Sequence, residues 1–252
     1  MQKIVGLVRR CVDDYHMIEE GDKIAVGVSG GKDSLVLLVL LAELRRYHPK
    51  HFELCAITID MGLGGMDFTP VQTLCEKLDV PYTCVRTEIG PIIFEHRKEK
   101  NPCSMCAKMR RGALNEELLR QGITKIALGH HHDDAVETFL MSLFYEGRIS
   151  CFQPVTYLDR TGVTQIRPML YVPEQTVVHL ADRLELPVVH NTCPADKNTK
   201  RQEVKDLIRD LQNLYPDLKT KVFGAMQRYP LVAWEADVYH RQKAAKATKE
   251  TE

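Results

Sequence analysis

Apolar runs of strand length alternate along this chain with longer segments in which apolar residues recur at helical spacing. The runs predict four strands, at residues 24–28, 53–60, 81–87 and 125–129. The longer segments predict five helices, at residues 2–18, 33–47, 69–78, 104–119 and 133–145. Strands and helices that alternate in this way are typical of parallel βαβ units. We therefore expect an α/β fold with a doubly wound parallel sheet.

The pattern changes after the fifth predicted helix. It predicts a hairpin at 157–164, another strand at 165–168, a helix at 173–185, a short extended segment at 187–190 and helices at about 197–213 and 216–227. Residues 88–102 are expected to be a charged connection. We expect an N-terminal helix at 1–20, an α/β domain at 21–190, a helical C-terminal extension at 191–235 and a flexible tail at 236–252.

Composition narrows the classes of function. The 252 residues suffice for one large or two small domains. Lysine plus arginine and aspartate plus glutamate both total 34, so only local clusters can indicate a nucleic-acid partner. The sequence has no apolar run of about 18 residues and no signal-peptide centre, so we predict a cytoplasmic protein without a membrane partner. Eight cysteines in that compartment do not indicate a disulfide framework.

Residues 28–34, Val-Ser-Gly-Gly-Lys-Asp-Ser, join the first predicted strand to the next helix. A turn through glycines into a helix gathers backbone N–H groups and the positive end of the helix dipole at one point. A lysine adds a full charge and two serines add hydroxyl donors. We therefore predict a phosphate-binding loop, distinct in spacing from the Walker loop. Its predicted nucleotide contacts are Val28, Ser29, Gly30, Gly31, Lys32, Asp33 and Ser34.

Two acidic residues extend this prediction to a whole nucleotide. Asp33 lies in the loop and suits Mg²⁺, which prefers oxygen ligands, although a helix cap is the alternative. Asp60 follows the second strand, where it can hydrogen-bond a ribose or an adenine edge while Met61 provides apolar contact. The alternative for Asp60 is a carboxylate that ends a strand and starts a turn.

The run Gly129-His-His-His-Asp-Asp134 follows the fourth predicted strand. It fits a turn that faces phosphates and Mg²⁺, a transition-metal site or a helix cap. Consecutive residues point in different directions from a strand end, so few of them can share one metal ion. The favoured interpretation places Gly129, His130 and Asp134 at the nucleotide and Asp133 at Mg²⁺.

The pair Cys103-Ser-Met-Cys106 stands at the start of a predicted helix, a position that lowers the pKa of a thiol. Cys193 lies in a comparable polar setting, whereas the remaining cysteines fall in apolar or strand-like contexts and are predicted to be core residues. These remaining cysteines include Cys11, Cys55, Cys75, Cys84 and Cys151. Three interpretations remain open for Cys103 and Cys106: ligands of a metal or cluster, a redox disulfide, or a structural pair.

Two groups of basic residues are consistent either with an RNA-binding surface or with an ordinary solvated face. The first flanks the cysteine pair and consists of Arg97, Lys98, Lys100, Lys108, Arg110 and Arg111. The second lies on the C-terminal helices, among acidic residues, and includes Lys197, Lys200, Arg201, Lys205, Arg209, Lys219, Lys221 and Arg228. The first group favours RNA more strongly because few acidic residues accompany it.

Together these motifs resemble the PP-loop ATP pyrophosphatases and, within them, the tRNA 2-thiocytidine synthetase family. The resemblance covers about residues 20–230. It rests on the loop at 29–34, on Cys103-Ser-Met-Cys106 with Arg110-Arg-Gly, on Gly129-His-His-His-Asp-Asp134 with Glu137-Thr138, and on Cys193. The chain departs from the family after Cys193, where Pro-Ala-Asp replaces Gly-Ser-Gln, while Asn198 and Arg201 match in position.

The resemblance implies a tRNA sulfurtransferase with ATP, Mg²⁺ and a 4Fe-4S cluster as cofactors. ATP·Mg²⁺ at residues 29–34 would convert C2 of a tRNA pyrimidine, foremost an anticodon-loop cytidine, to an adenylate. Sulfur carried at a cluster on Cys103, Cys106 and Cys193 would then displace AMP. The expected catalytic residues are Lys32, Asp60, Arg110 and Asp133, and the expected magnesium ligands are Asp33 and Asp133.

The expected partners are tRNA, a sulfur donor that is either a cysteine desulfurase or free sulfide, and a second copy in a homodimer. Two other functions stay open. One is a PP-loop ligase that joins an amine to the adenylate and has structural cysteines. The other is a nucleotide-binding regulator without turnover.

Overall fold

The computed structural model describes residues 1–97, 102–190, 192–193 and 200–228, except for the side chains of residues 95–97 and 103. The predicted tail at 236–252, the start of the helix predicted at 197, and Lys98, Lys100, Lys197 and Asn198 lie outside these ranges. The helices are α1 (Gln2–Asp14), α2 (Lys32–Arg45), α3 (Thr69–Lys77), α4 (Ile89–Pro91), α5 (Pro102–Arg120), α6 (His132–Glu146), α7 (Glu174–Arg183), α8 (Lys200–Leu214) and α9 (Leu218–Gln227). The strands are β1 (Asp22–Gly27), β2 (Phe52–Asp60), β3 (Tyr82–Arg86), β4 (Lys125–Ala127), β5 (Val155–Leu158) and β6 (Val163–Ile166).

The described strands form one sheet in the order β3-β2-β1-β4-β6-β5. Neighbouring strands are parallel except for β5 and β6, which form the predicted antiparallel hairpin. The chain builds outward from β1 in both directions, with β2 on one side and β4 on the other. This order confirms the doubly wound sheet and places the topological switch point at the carboxyl ends of β1 and β4, where such sheets bind ligands.

The sheet has a separate hydrophobic core on each face. Because side chains alternate along a strand, Ile24 and Val26 of β1 face one core while Ala25 faces the other. The larger core is filled by α2, whose residues 35–42 and Leu44 are all buried between the sheet, α1 and α7. Fully burying each such leucine contributes about 1.5–3 kcal/mol. The second core is covered mainly by α5.

The two C-terminal helices pack against α6 and against each other, as the predicted helical extension requires. Val204 and Ile208 of α8 and Phe223 of α9 are buried in the larger core. The extension is therefore anchored to the α/β part by apolar contacts. Among the described helices, none has the length and hydropathy needed to cross a membrane.

Three predicted elements are corrected by the structure. α1 ends at Asp14 rather than residue 18, because His16 has a φ of +48° and reverses the chain before Met17 enters the core. The connection at 88–102 contains α4 and a π-helix, Ile92–Arg97, because Ile89 and Ile93 pack into the second core. The strand predicted at 165–168 is not separate, since β6 already includes residues 165 and 166.

The cysteine prediction also needs one correction. Cys11 and Cys75 are buried, and Cys55 and Cys151 are partly buried, as expected. Cys84 is exposed, because β3 is an edge strand of the sheet.

Candidate functional site

The loop at residues 28–34 leads from β1 into the first turn of α2 and is held in shape by its own serines. Ser34 Oγ donates a hydrogen bond to Gly31 O at 2.8 Å and accepts one from Ser29 N at 3.1 Å. Gly31 N donates to Ser29 Oγ at 3.3 Å. Gly31 is the N-cap of α2 and makes no side-chain cap hydrogen bond. The first N–H groups of α2 therefore form an anion-binding end of the helix beside the loop.

Two glycines let other segments approach this loop closely. Gly30 has a φ of +85°, and a Cβ there would lie 2.9 Å from Val189 Cβ. A Cβ on Gly129, just after β4, would lie 3.0 Å from the carbonyl carbon of Asp33. The first distance is shorter than real Cβ atoms show and the second is unusually tight, and only glycine readily adopts the backbone angle at Gly30. The loop thus contacts both the β4 end and the segment before Cys193.

Lys32 lies between two carboxylates. Its Nζ is 3.0 Å from Asp33 Oδ1 and 3.5 Å from Glu174 Oε1 at the start of α7. Burial lowers the pKa of Lys32, but the hydrogen bonds and charges of Asp33 and Glu174 outweigh burial and raise its pKa above the ordinary 10.5. The ammonium group is therefore charged at neutral pH and suited to neutralise phosphate charge.

The three consecutive histidines after β4 point to different neighbours. His131 Nδ1 accepts a hydrogen bond from Asp134 N at 3.3 Å, while Asp134 Oδ2 accepts one from His131 N at 3.0 Å. His132 stacks on Phe223, and His130 packs on Phe152. This reciprocal pair confirms the capping alternative for Asp134. Among the described residues, no three His, Cys, Asp or Glu side chains are grouped so that they could hold a metal ion.

Asp133 is buried and engaged through both carboxylate oxygens. Oδ2 accepts a hydrogen bond from Glu174 N at 2.7 Å, and Oδ1 accepts one from Lys219 Nζ of α9 at 2.6 Å. Burial raises its pKa, but these two donors outweigh that effect, so its pKa lies below the ordinary 3.8. Asp133 thus joins α7 and α9 to the start of α6. Its catalytic and magnesium roles stay predictions.

Eight charged or titratable side chains form a closed ring of contacts, here called the charged ring. In order around it they are Lys32, Asp33, His131, Asp134, Arg201, Glu137, Lys205 and Glu174. The contacts between neighbours range from 3.0 Å for Lys32–Asp33 to 3.7 Å for Asp33–His131 and Glu137–Lys205. The ring includes residues of α2, α6, α7 and α8. It connects the predicted phosphate loop with the helix that follows the Cys193 segment.

The glycine-rich loop at residues 61–65, which follows β2, contacts the segment that carries Cys193. Thr192 Oγ1 donates a hydrogen bond to Gly64 O at 3.1 Å. Met61 and Leu63 of the loop belong to the second core, against which Cys106 of α5 also packs. Cys106 and Cys193 are both partly exposed. The side chain of Cys103 lies outside the described part, so the predicted cysteine triad stays a prediction.

Comparison with known proteins shows which family this chain belongs to. The sequence profile of the PP-loop domain family matches residues 6–211. The tRNA-cytidine(32) 2-sulfurtransferase of Pelobacter propionicus is 39% identical over 222 residues, which cover 87% of this chain and 82% of that protein. The protein of the same name from Bdellovibrio bacteriovorus is 36% identical over 225 residues, which cover 89% and 87%. The chain belongs to the PP-loop family of tRNA-cytidine 2-sulfurtransferases.

A solved structure supports the same family. The U34-tRNA thiolase NcsA from Methanococcus maripaludis, determined with its 4Fe-4S cluster, superposes with a TM-score of 0.72 at 28% identity. The match covers 89% of this chain and 78% of NcsA. It confirms the predicted fold class, since both chains share the sheet and its surrounding helices over most of their length.

The remaining predicted residues of the PP-loop protein occupy clear positions. Val28 is fixed to β2, because Val28 N donates to Ile57 O and Thr58 Oγ1 donates to Val28 O, both at 2.9 Å. Asp60 Oδ1 accepts a hydrogen bond from Gly62 N at 3.0 Å, which is the turn-forming alternative. The ATP contacts of Val28, Asp60 and Met61 and the catalytic role of Asp60 stay predictions.

The two basic groups differ in their ion pairs and in their exposure. In the second group, Arg201, Lys205 and Lys219 are partly exposed and pair with carboxylates of α6 and α7, so their charges are engaged within the PP-loop protein. In the first group, Arg110 is partly exposed and Lys108 and Arg111 are exposed on α5. The structure therefore favours the first group as the surface for RNA. The catalytic role of Arg110 stays a prediction.

The main residue missed by sequence reasoning is Glu174, which contacts Lys32 from 142 positions away. A glutamate after a proline at a helix start is a weak local signal, because acidic residues are common in a first turn. The sequence indicates Glu137 only as part of the family motif, and it indicates Lys205 only as one of many basic residues. Their pairing depends on how α6 packs against α8.

His130 is expected to make the stability of the protein fall between neutral pH and pH 5. Burial and the positive charge of Arg167 lower its pKa from 6.5 to about 4. Below pH 6.5 the unfolded chain binds a proton on His130 that the folded chain does not bind until about pH 4. The contribution of the neutral ring to the free energy of unfolding is therefore complete above pH 6.5 and is lost as the pH falls toward 4. At pH 5 the loss is on the order of 2 kcal/mol. Urea unfolding at pH 7 and pH 5 measures it.

The matched variants are His130→Phe and His51→Phe. Nδ1 of His130 has no hydrogen-bond partner in the described part of the chain, so phenylalanine can replace the ring against Phe152. His130→Phe should reduce the loss between the two pH values, whereas His51→Phe should not, because the His51 side chain is 88% exposed. An unchanged pH dependence in His130→Phe would contradict the prediction.

Proposed function

We propose that this protein is an ATP-dependent tRNA sulfurtransferase that replaces the C2 oxygen of cytidine 32 with sulfur. The observation that carries the proposal is the attachment of the segment before Cys193 to the phosphate loop and to the glycine-rich loop after β2. Val189 contacts Gly30 of the phosphate loop, and Thr192 contacts Gly64 of the second loop. Cys106 packs against the second core, to which Met61 and Leu63 of that second loop also belong. The named relatives and NcsA supply the substrate class.

The first step is adenylation of the base. The C2 oxygen of cytidine attacks the α-phosphorus of ATP, a new P–O bond forms, and the bond to pyrophosphate breaks. The N–H groups at the start of α2 and the ammonium of Lys32 face negative phosphate charge that must be stabilised in this step. Asp33, which contacts Lys32, is positioned to share Mg²⁺ with the phosphates.

The cysteines fit an iron–sulfur cluster by their chemistry and placement. Cys106 and Cys193 are partly exposed, and Cys103 precedes Cys106 by three positions on α5, so the two positions share one helix face. When bound there, a 4Fe-4S cluster held by three cysteines supplies one iron without a protein ligand, which can carry the incoming sulfur. The exposed positive charges of Lys108 and Arg111 on the same helix suit the tRNA backbone.

The sulfur donor in this proposal is a cysteine desulfurase or free sulfide, and the enzyme works as a homodimer in the cytoplasm, where its tRNA substrate is found. The displaced group is AMP. The carbon–oxygen bond at C2 breaks as the carbon–sulfur bond forms, so sulfide replaces an oxygen that leaves with the phosphate.

The test uses anaerobically prepared protein with reconstituted iron, ATP, Mg²⁺, sulfide and a tRNA transcript, followed by mass spectrometry of the nucleosides. We expect pyrophosphate release and 2-thiocytidine at position 32. A transcript with uridine at position 32 is the matched control and should gain no sulfur there. Sulfur only at uridine 34 would overturn the substrate. Retained turnover with an amine, and no sulfur incorporation, would favour the ligase instead.

A further inference from the structure

The segment that carries Cys193 is attached to the nucleotide-binding loops on its N-terminal side. Val189 N donates a hydrogen bond to Gly30 O at 3.0 Å, so the segment touches the phosphate loop four positions before the cysteine. Thr192, which directly precedes the cysteine, donates from Oγ1 to Gly64 O at 3.1 Å. These two contacts fix the approach to Cys193. They do not fix the direction in which the chain leaves it.

The chain is attached again at the start of α8, eight positions after the cysteine. There Arg201 Nη1 lies 3.2 Å from Asp134 Oδ1 and 3.1 Å from Glu137 Oε2, and Nη2 donates to Thr138 Oγ1 at 3.2 Å. All three acceptors belong to α6. A planar guanidinium can engage several acceptors at once and so defines one orientation, which a lysine would do less well.

Glu137 makes this attachment specific. It is 1% exposed, and its two oxygens face Arg201 and Lys205 of α8. A buried carboxylate without a partner is costly, so α8 must present both cations to α6. Lys205 also contacts Glu174, which in turn contacts Lys32 in the phosphate loop. The position of α8 is therefore coupled to the loop as well as to α6.

These contacts indicate a structural role for Arg201 within the protein. An arginine reserved for the tRNA backbone would present its guanidinium to solvent, whereas this one meets three acceptors of a single helix. Arg209, two turns further along α8, shows the contrast: its side chain is 72% exposed and its ion pair is with Asp206 of the same helix.

We propose that Arg201 is a positioning residue for Cys193. By holding the first turn of α8 on Glu137 and Asp134 of α6, it anchors the chain on the C-terminal side of Cys193, as Val189 and Thr192 anchor it on the N-terminal side, and so limits how far Cys193 can move. The inference rests on the proposed function only where it names Cys193 as a cluster ligand. The attachment itself concerns the protein alone.

The test compares Arg201→Met, Arg201→Lys and Glu137→Gln with the wild type and with Arg209→Met as the matched control. The first measurement is the alkylation rate of Cys193 by N-ethylmaleimide in reduced, iron-free full-length protein, followed by peptide mass spectrometry. Cys75, which is fully buried, is the internal reference for global unfolding. We expect alkylation of Cys193 to be about threefold faster or more in Arg201→Met, because the local structure opens more often. Cys75 should not change.

The second measurement separates the two steps of the reaction in the iron-loaded enzyme. Pyrophosphate release should stay within about threefold of the wild type in Arg201→Met, while sulfur incorporation should fall about tenfold to a hundredfold, the cost of a small misplacement. Arg201→Lys should recover part of the loss, and Arg209→Met should behave as the wild type. Glu137→Gln keeps the shape of the side chain and provides the same test if Arg201→Met does not fold.

The outcomes are distinct. Equal alkylation of Cys193 in the wild type, Arg201→Met and Glu137→Gln would overturn the positioning role. So would parallel losses of pyrophosphate release and sulfur incorporation, since these would indicate damage to the nucleotide site. If the wild type itself incorporates no sulfur, the proposed function fails, and the alkylation rates still decide the role of Arg201.

Discussion

Lys32→Met is expected to lower kcat for ATP-dependent pyrophosphate release by about 10²–10³-fold, the usual cost of removing one donor that stabilises transition-state charge. Lys32 is the cation of the phosphate loop, and its neighbours Asp33 and Glu174 hold it charged. Methionine keeps an unbranched side chain that is one atom shorter, and it removes both the charge and the N–H donors of Nζ. Steady-state assays of pyrophosphate with saturating tRNA measure the change, and the loss should appear in kcat more than in the KM for ATP.

The fold should survive this change. Glu174 keeps Lys205 as a partner, at 3.0 Å, and Asp33 keeps its contact with His131 at 3.7 Å. The matched control is Lys23→Met, which removes an exposed lysine of β1 that pairs with Glu53. Its pyrophosphate release should equal that of the wild type. Undiminished release in Lys32→Met would show that the loop does not act on the phosphates.

Cys193→Ser is expected to abolish sulfur incorporation while pyrophosphate release continues. A serine hydroxyl is a poor ligand for iron, so a cluster that needs three thiolates should be lost from the protein. Iron per chain after anaerobic reconstitution should fall well below about four, and the broad absorption of the cluster should disappear with it. Cys106→Ser should give the same result, because both side chains belong to one proposed ligand set.

The matched control is Cys84→Ser. Cys84 is an exposed cysteine on edge strand β3, so it tests whether loss of any accessible thiol has the same effect. Its iron content and sulfur incorporation should equal those of the wild type. If Cys193→Ser retained both iron and sulfur incorporation, the three-cysteine cluster would be wrong, and the ligase alternative with structural cysteines would be favoured. Loss of both pyrophosphate release and sulfur incorporation would point instead to a misfolded nucleotide site.

Several features were predictable from sequence because their causes are local. The phosphate loop is one contiguous stretch, and its glycines, its lysine and its strand-to-helix context all lie within seven positions, 28–34. The alternation of strands and helices determined the doubly wound sheet, because strand and helix periods differ and parallel strands need crossover helices. The same local logic placed Cys103 and Cys106 on one helix, α5.

Predictions failed or stayed open where local patterns compete. The histidine and aspartate run fits a nucleotide turn, a metal site or a helix cap, and the sequence favours the nucleotide turn. The structure assigns Asp134 to the cap because its carboxylate returns to His131 N. The charges of residues 88–102 predict a connection. The helical form of this segment depends instead on Ile89 and Ile93, which pack into the second core.

What the sequence by itself determined, then, is the fold class, the phosphate loop and the family. Only the tertiary structure decided how these parts meet. Glu174 reaches Lys32 across 142 positions, and Arg201 reaches Asp134 across 67. Such pairs carry no periodic signal, because they depend on the packing of α7 against α2 and of α8 against α6, and on the cost of leaving buried charges without partners. Packing therefore placed the Cys193 segment beside the phosphate loop.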